Sequence, residues 1–136
     1  LGRFINLIQN VRTDLERHVL IWCIENYIAL KQFRQNELFI TFYENLCERP
    51  QEEVKRLLDF LGEDSIEKVL QSIRKPSATA IGYRAPVMDR DIGAWRQQIS
   101  TEQMNRCLEI LAAFGLHEVY GADPVPHTDG LSRVMS

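Results

Sequence analysis

The run Leu38-Phe39-Ile40-Thr41-Phe42 constrains the fold of this chain more than any other stretch. It is almost wholly apolar and lacks the in-and-out alternation of a strand wetted on one face. Such runs belong to strands covered on both faces, as in the parallel sheets of α/β proteins. A lone parallel strand has nothing to pair with, and no second run of comparable quality occurs in the 136 residues. The expectation is one buried parallel strand over about residues 38–43, in an α/β domain whose other strands lie outside this chain.

The remainder reads as helix. A long helix is expected over residues 13–33, capped by Thr13 or Asp14, with Leu15, Val19, Trp22, Cys23, Asn26, Tyr27 and Leu30 on one wide face. Before it, the segment around Phe4 and Ile8 reads equally as the end of another helix or as a docking segment. After the strand, Pro50 fits a first helical turn. Glu52 and Glu53 sit at the positive end of that helix, and Gly62 supplies its stop. Val54, Leu57, Leu58 and Leu61 follow the i, i+3, i+4, i+7 pattern of a packed face. Asp64 and Glu67 form a capping pair for a short helix with Ile66, Val69, Leu70 and Ile73 inward. Ser100 and Gln103 do the same for a final helix, whose buried stripe is Met104, Cys107, Leu108 and Leu111 and whose end is Gly115. Leu116 to Tyr120 reads as a packed extension, and residues 121–136 as a flexible tail.

Composition narrows the function classes. The hydrophobic fraction is 45% and the charged fraction 26%, as in an ordinary globular protein, and no apolar run reaches membrane-spanning length. A net charge of −3 argues against general nucleic-acid binding. The charge is uneven, however. Arg74, Lys75, Arg84, Arg90 and Arg96 against Asp89 and Asp91 make one segment locally basic, which suits a small anionic ligand or a solvated loop. The three cysteines have no metal-like spacing and point to a reducing, cytoplasmic setting, with Cys23 and Cys107 as core thiols. His18, His117 and His127 have no partners in sequence, so no metal site is expected.

Chemistry concentrates in two places. Tyr43 and Glu44 end the strand, where ligands bind in open α/β sheets. Tyr43 there either offers its ring to a base or fills core space; Glu44 organises the turn. Residues 74–95 lose helical periodicity, and long irregular segments in compact domains are usually functional. They carry Ser77, Ala78 and Thr79 beside Arg74 and Lys75, a composition that suits phosphate or sulfate. The Gly93-Ala94-Trp95-Arg96 run adds a glycine, an indole and a guanidinium. No Gly-rich phosphate loop, nucleophile elbow or carboxylate pair is present, so no complete active site assembles from this chain.

The order of these features resembles sulfotransferases that use 3′-phosphoadenosine 5′-phosphosulfate (PAPS). The stretch "FITFYENLCERPQEEVKRLLDFLG" is similar to that family's strand, turn and Pro-led helix, with Asn45 where the family usually has aspartate. "LIWCIENYIALKQF" resembles the Trp-containing helix before that strand, and "KPSATA" the small-hydroxyl segment near the adenine. "RDIGAWRQQISTEQMNRCLEILAAFGLHEVYG" resembles the closing Gly-x-Trp, helix and Tyr-Gly ending.

The resemblance implies a P-loop-kinase-like α/β fold. Residues 1–120 would be the carboxyl-terminal portion of its single domain, with the phosphosulfate loop and catalytic base in an amino-terminal half that has no match here. It implies transfer of a sulfuryl group from PAPS to a hydroxyl or amine on a small-molecule, carbohydrate or lipid acceptor. The cofactor-binding residues it implies are Tyr43, Ser77, Thr79, Gly93 and Trp95, with no catalytic residue in this chain. The Arg-Lys-Gly triplet of the cytosolic branch is replaced by Met88, Asp89 and Arg90. Arg90 or Arg84 then stands for the 3′-phosphate contact, and a bacterial-type branch is implied. The competing reading is a non-catalytic, mainly helical interaction module, which leaves the apolar run and the basic loop without a reason.

Overall fold

The computed structural model describes residues 2–34, 37–73 and 91–136. These fall into two compact units, one of Leu1–Leu38 with Gly93–Ser136 and one of Phe39–Ile92.

The first unit is built on two long helices. After a single 3-10 turn, Gly2–Phe4, come α1 (Ile5–Gln9) and α2 (Asp14–Gln32). Thr13, in extended backbone, caps α2 by accepting from the Glu16 amide at 3.2 Å, which decides between Thr13 and Asp14. The buried residues of α2 are Glu16, Leu20, Cys23 and Leu30. This stripe is rotated from the expected face, for Trp22 is exposed and turns edge-on to Tyr120, centroids 5.4 Å apart. The segment around Phe4 proves to be both things its sequence allowed, a short helix and an anchor. Ile5 and Ile8 are exposed, while Phe4 is buried, stacked on Phe114 at 4.1 Å and edge-on to Tyr27 at 5.5 Å.

Helix α2 packs against the last long helix, which spans Thr101–Ala113. That helix opens on the expected capping box. Ser100 Oγ accepts from the Gln103 amide at 3.2 Å, and Gln103 Oε1 accepts from the Ser100 amide at 2.8 Å. Its buried side chains are Cys107, Ile110 and Leu111, with Met104 and Leu108 half-buried. Phe114, Leu116 and Val119 continue the core beyond its end.

Residues 121–136, expected from composition to be a flexible tail, fold back within this unit. A 3-10 turn, Thr128–Gly130, leads into a terminal helix, Leu131–Met135, that packs on the 3-10 turn Leu116–Glu118 and on α2. Val134 is buried, and Arg133 Nη1 meets Glu118 Oε2 at 2.6 Å. Gly130 makes this docking possible, because a Cβ there would collide with the Glu118 carbonyl. Composition suggests mobility, but buried Val134, the Arg133–Glu118 pair and the close approach at Gly130 seat the last turn.

The second unit holds α3 (Tyr43–Glu48), α4 (Pro50–Leu61) and α5 (Ile66–Ile73). Residues 38–42 form no β-ladder among the described residues, so the buried parallel strand expected over about 38–43 is not confirmed. Only Phe42 of that run is buried; Leu38, Phe39 and Ile40 are half-buried and Thr41 is exposed. Phe39 is flanked by the Phe60 ring at 5.3 Å and the Arg56 guanidinium at 5.4 Å. The physical reason is pairing: a strand's amides and carbonyls need a neighbouring strand.

Helix α4 starts at Pro50 as read and buries Val54 and Leu58, while Leu61 is exposed instead of completing the stripe. Gly62 ends it at φ 71°, a left-handed conformation, and the Glu63 amide donates to the Leu58 carbonyl at 2.9 Å. Glu53 is buried with one oxygen paired to Arg56 at 2.6 Å. Helix α5 begins at Ile66, too late for the Asp64–Glu67 capping pair that was expected.

Ile110 has no exposed surface. Ile110→Ala is expected to cost about 3 kcal/mol, read as a lower urea midpoint at unchanged slope. Ile5→Ala, at a position 55% exposed, should change stability by less than about 0.5 kcal/mol.

Candidate functional site

Tyr43 is the first residue of α3, following Phe42 in extended backbone (φ −101°, ψ 134°). The switch from extended to helical at this point gives Tyr43 its outward position, and it is 43% exposed. Two residues on, Asn45 is buried, where the resembling family usually has aspartate. Its carbonyl accepts from the Arg49 amide at 2.8 Å, and its side-chain oxygen lies 3.5 Å from Arg49 Nη2. A neutral amide at this buried position avoids the desolvation that a carboxylate would suffer. Glu44 lies half-buried in the first turn of α3.

Gly93 and Trp95 belong to the first unit, at a 3-10 turn spanning Ala94–Gln97. Gly93 has φ −94° and ψ −5°, a conformation open to any residue, so its backbone does not require glycine. Its carbonyl accepts from the Arg96 amide at 3.1 Å. Trp95 is half-buried, with the Arg96 guanidinium 5.8 Å from its ring. Arg96 is otherwise engaged: Nε and Nη2 donate to the Ala122 carbonyl, Nε at 3.0 Å, and Nη2 meets Asp123 at 3.2 Å. This arginine clamps the Trp95 turn to residues 122–123, so it is not a cation held ready for an anion. The contact spans 26 positions and leaves no local signature. Ser77, Thr79 and Arg90 lie outside the described residues, as do Arg74, Lys75 and Arg84.

Sequence reading missed a polar groove of about 1310 Å³ in the first unit, lined in part by Asn6, Arg12, Glu16, Gln103 and Arg106. Glu16 organises it. Its carboxylate accepts from the Arg12 amide at 3.1 Å, from Thr13 Oγ1 at 3.2 Å and from Arg106 Nε at 3.5 Å. The Arg12 amide bond is the largest influence on this carboxyl and holds it below its usual range, against the opposing effect of burial. Arg106 also pairs with Glu109 at 2.5 Å, so the charges of the groove answer one another. Nearby, burial and then the proximity of Cys107 push the Cys23 thiol up to about 12, which keeps it protonated and inert. No group of acidic, histidine and cysteine side chains able to hold a metal occurs among the described residues.

Residues 17–80 match the family model described as the sulfotransferase domain. The match supports the sulfotransferase family on a segment a little under half the length of the chain. The matched segment runs from α2 through α5 and contains Tyr43 and Ser77; Gly93 and Trp95 lie beyond it. Comparison with curated proteins and with solved structures finds no match. The sulfotransferase domain implies a P-loop-like α/β fold, and the regular elements among the described residues here are all helical. No helix among the described residues is long and apolar enough to cross a membrane.

Because the Glu16 carboxyl is lowered on folding from its ordinary 4.5, its contribution to stability is present above that value. It is lost as pH falls through the folded pKa. Glu16→Gln should therefore lower Tm near neutrality and lose less on acidification than the parent, measured by thermal melts between about pH 7 and about pH 3.

Proposed function

We propose that this chain forms the adenine and 3′-phosphate side of the donor site in a sulfotransferase that uses PAPS. The sulfuryl group passes to a hydroxyl or amine acceptor. The observation that carries this reading is the coincidence of the sulfotransferase-domain match with an exposed tyrosine at the extended-to-helix junction inside it. An aromatic ring there offers a face on which adenine can stack, an interaction worth about 1–3 kcal/mol per base.

In this scheme the acceptor oxygen or nitrogen attacks sulfur in line. The new bond to sulfur forms as the bond to the bridging phosphate oxygen breaks, and the acceptor proton leaves to a base. Adenosine 3′,5′-bisphosphate departs. Catalysis of this kind rests on alignment and on neutralising charge that develops on the leaving group. Tyr43 and Ser77 fix the base, with Thr79 as a further hydroxyl, while Gly93 and Trp95 close the nucleotide loop. Arg90 or Arg84 takes the place of the absent Arg-Lys-Gly triplet at the 3′-phosphate, while Arg96 is engaged with Ala122 and Asp123. The phosphosulfate loop and the base belong to the other half of the domain, so this segment alone should show little or no turnover. The acceptor is a small molecule, carbohydrate or lipid, and the setting is cytoplasmic.

A mainly helical interaction module is the second reading. It is favoured by the all-helical described elements and by exposed Ile21 and Ile28, which lie two turns apart on α2. It offers no reason for the match over residues 17–80.

Titration of the full-length protein with adenosine 3′,5′-bisphosphate separates the two. Binding is expected, weakened roughly 5- to 150-fold in Tyr43→Ala. Binding with unchanged affinity in the variant would remove Tyr43 from the site. No binding by the parent would remove the donor assignment and favour the interaction module.

A further inference from the structure

Residues 120–126 form a loop whose ends are tied together, for the His127 amide donates to the Val119 carbonyl at 2.7 Å. Pro124 and Pro126 stand inside the loop, and Pro126 is buried. Each proline fixes its own φ and biases the residue before it toward extended backbone. A loop closed at its ends and stiffened in this way loses little entropy when a side chain binds to it. It is a ready-made anchor.

Arg96 reaches this loop from the Trp95 turn. Its Nε and Nη2 both donate to the Ala122 carbonyl, so the hold is two-pointed on a main-chain oxygen. The Asp123 carboxylate lies 3.2 Å from Nη2, but both side chains are open to solvent, 42% and 68% exposed. Such a pair contributes little. The carbonyl is therefore the anchoring contact. The same guanidinium lies 5.8 Å from the centre of the Trp95 ring, close enough for a cation–π attraction. One side chain thus joins a stiff loop to a half-buried indole.

We propose that Arg96 is a positioning residue of the donor site: held on Ala122, it fixes the orientation of the Trp95 indole toward the nucleotide. The proline-stiffened loop then sets nucleotide affinity from outside the site. The inference rests on the reading of Trp95 as part of that site. Lysine cannot replace this arginine, because an ammonium group lacks the planar fork that grips one oxygen with two donors.

The indole N–H signals of Trp22 and Trp95 are followed by NMR in the full-length protein, first without nucleotide. Arg96→Lys is expected to move the Trp95 signal and leave that of Trp22 in place, while Asp123→Asn moves neither. Adenosine 3′,5′-bisphosphate and adenosine 5′-monophosphate are then titrated. Arg96→Lys should weaken both by the same factor, roughly 2- to 10-fold, the worth of one net hydrogen bond. It should have no further effect in a Trp95→Ala background. A Trp95 signal unmoved by Arg96→Lys overturns the proposal. So does a loss confined to the bisphosphate, which would place Arg96 on the 3′-phosphate itself, or an equal effect of Asp123→Asn. A Trp95 signal that moves in a protein binding neither nucleotide overturns the donor-site reading instead, and leaves Arg96 as the residue that positions the turn.

Discussion

Packing of α2 (Asp14–Gln32) against the helix Thr101–Ala113 is the constraint on which the first unit depends. It brings together residues some ninety positions apart, as the Glu16–Arg106 contact shows. Cys23 and Ile110, both without exposed surface, lie in its core. Closing so long a loop costs entropy that only a substantial buried apolar area offsets. With those two helices in place, Phe4, Tyr27 and Phe114 can cluster, Arg96 can reach Ala122, and Val134 has a surface to dock on.

Glu16 illustrates how a polar residue joins such an interface. It occupies a buried position of α2, yet its oxygens accept from Arg12, Thr13 and Arg106, so charge and hydrogen bonds are answered where water is partly excluded. A helical-wheel reading assigns such a position to the outer face because it weighs hydropathy alone. Trp22 errs the other way: it is apolar by type but exposed, with Tyr120 against its edge.

The candidate nucleotide site was legible unevenly. Tyr43 could be picked out because an apolar run breaks at an aromatic residue that opens a helix, and it is exposed there. Gly93 was singled out as a glycine that allows close backbone approach, and its backbone conformation is one open to any residue. Arg96 was counted with a basic loop although its guanidinium is committed to residues 122 and 123. That commitment follows from tertiary proximity, and no spacing rule encodes it.

By itself the sequence determined the helices and most of their ends. Thr13, Ser100 with Gln103, Pro50 and Gly62 act through hydrogen bonds and dihedral limits spanning only a few residues. It also carried the sulfotransferase resemblance, which the match over residues 17–80 supports. Tertiary structure alone decided which faces were buried, where residues 121–136 went, and how residues 38–42 were held. Those outcomes depend on surfaces supplied by distant parts of the chain. An apolar run such as 38–42 becomes a strand only where another strand meets it, because its backbone groups bond across to a neighbour and not along themselves.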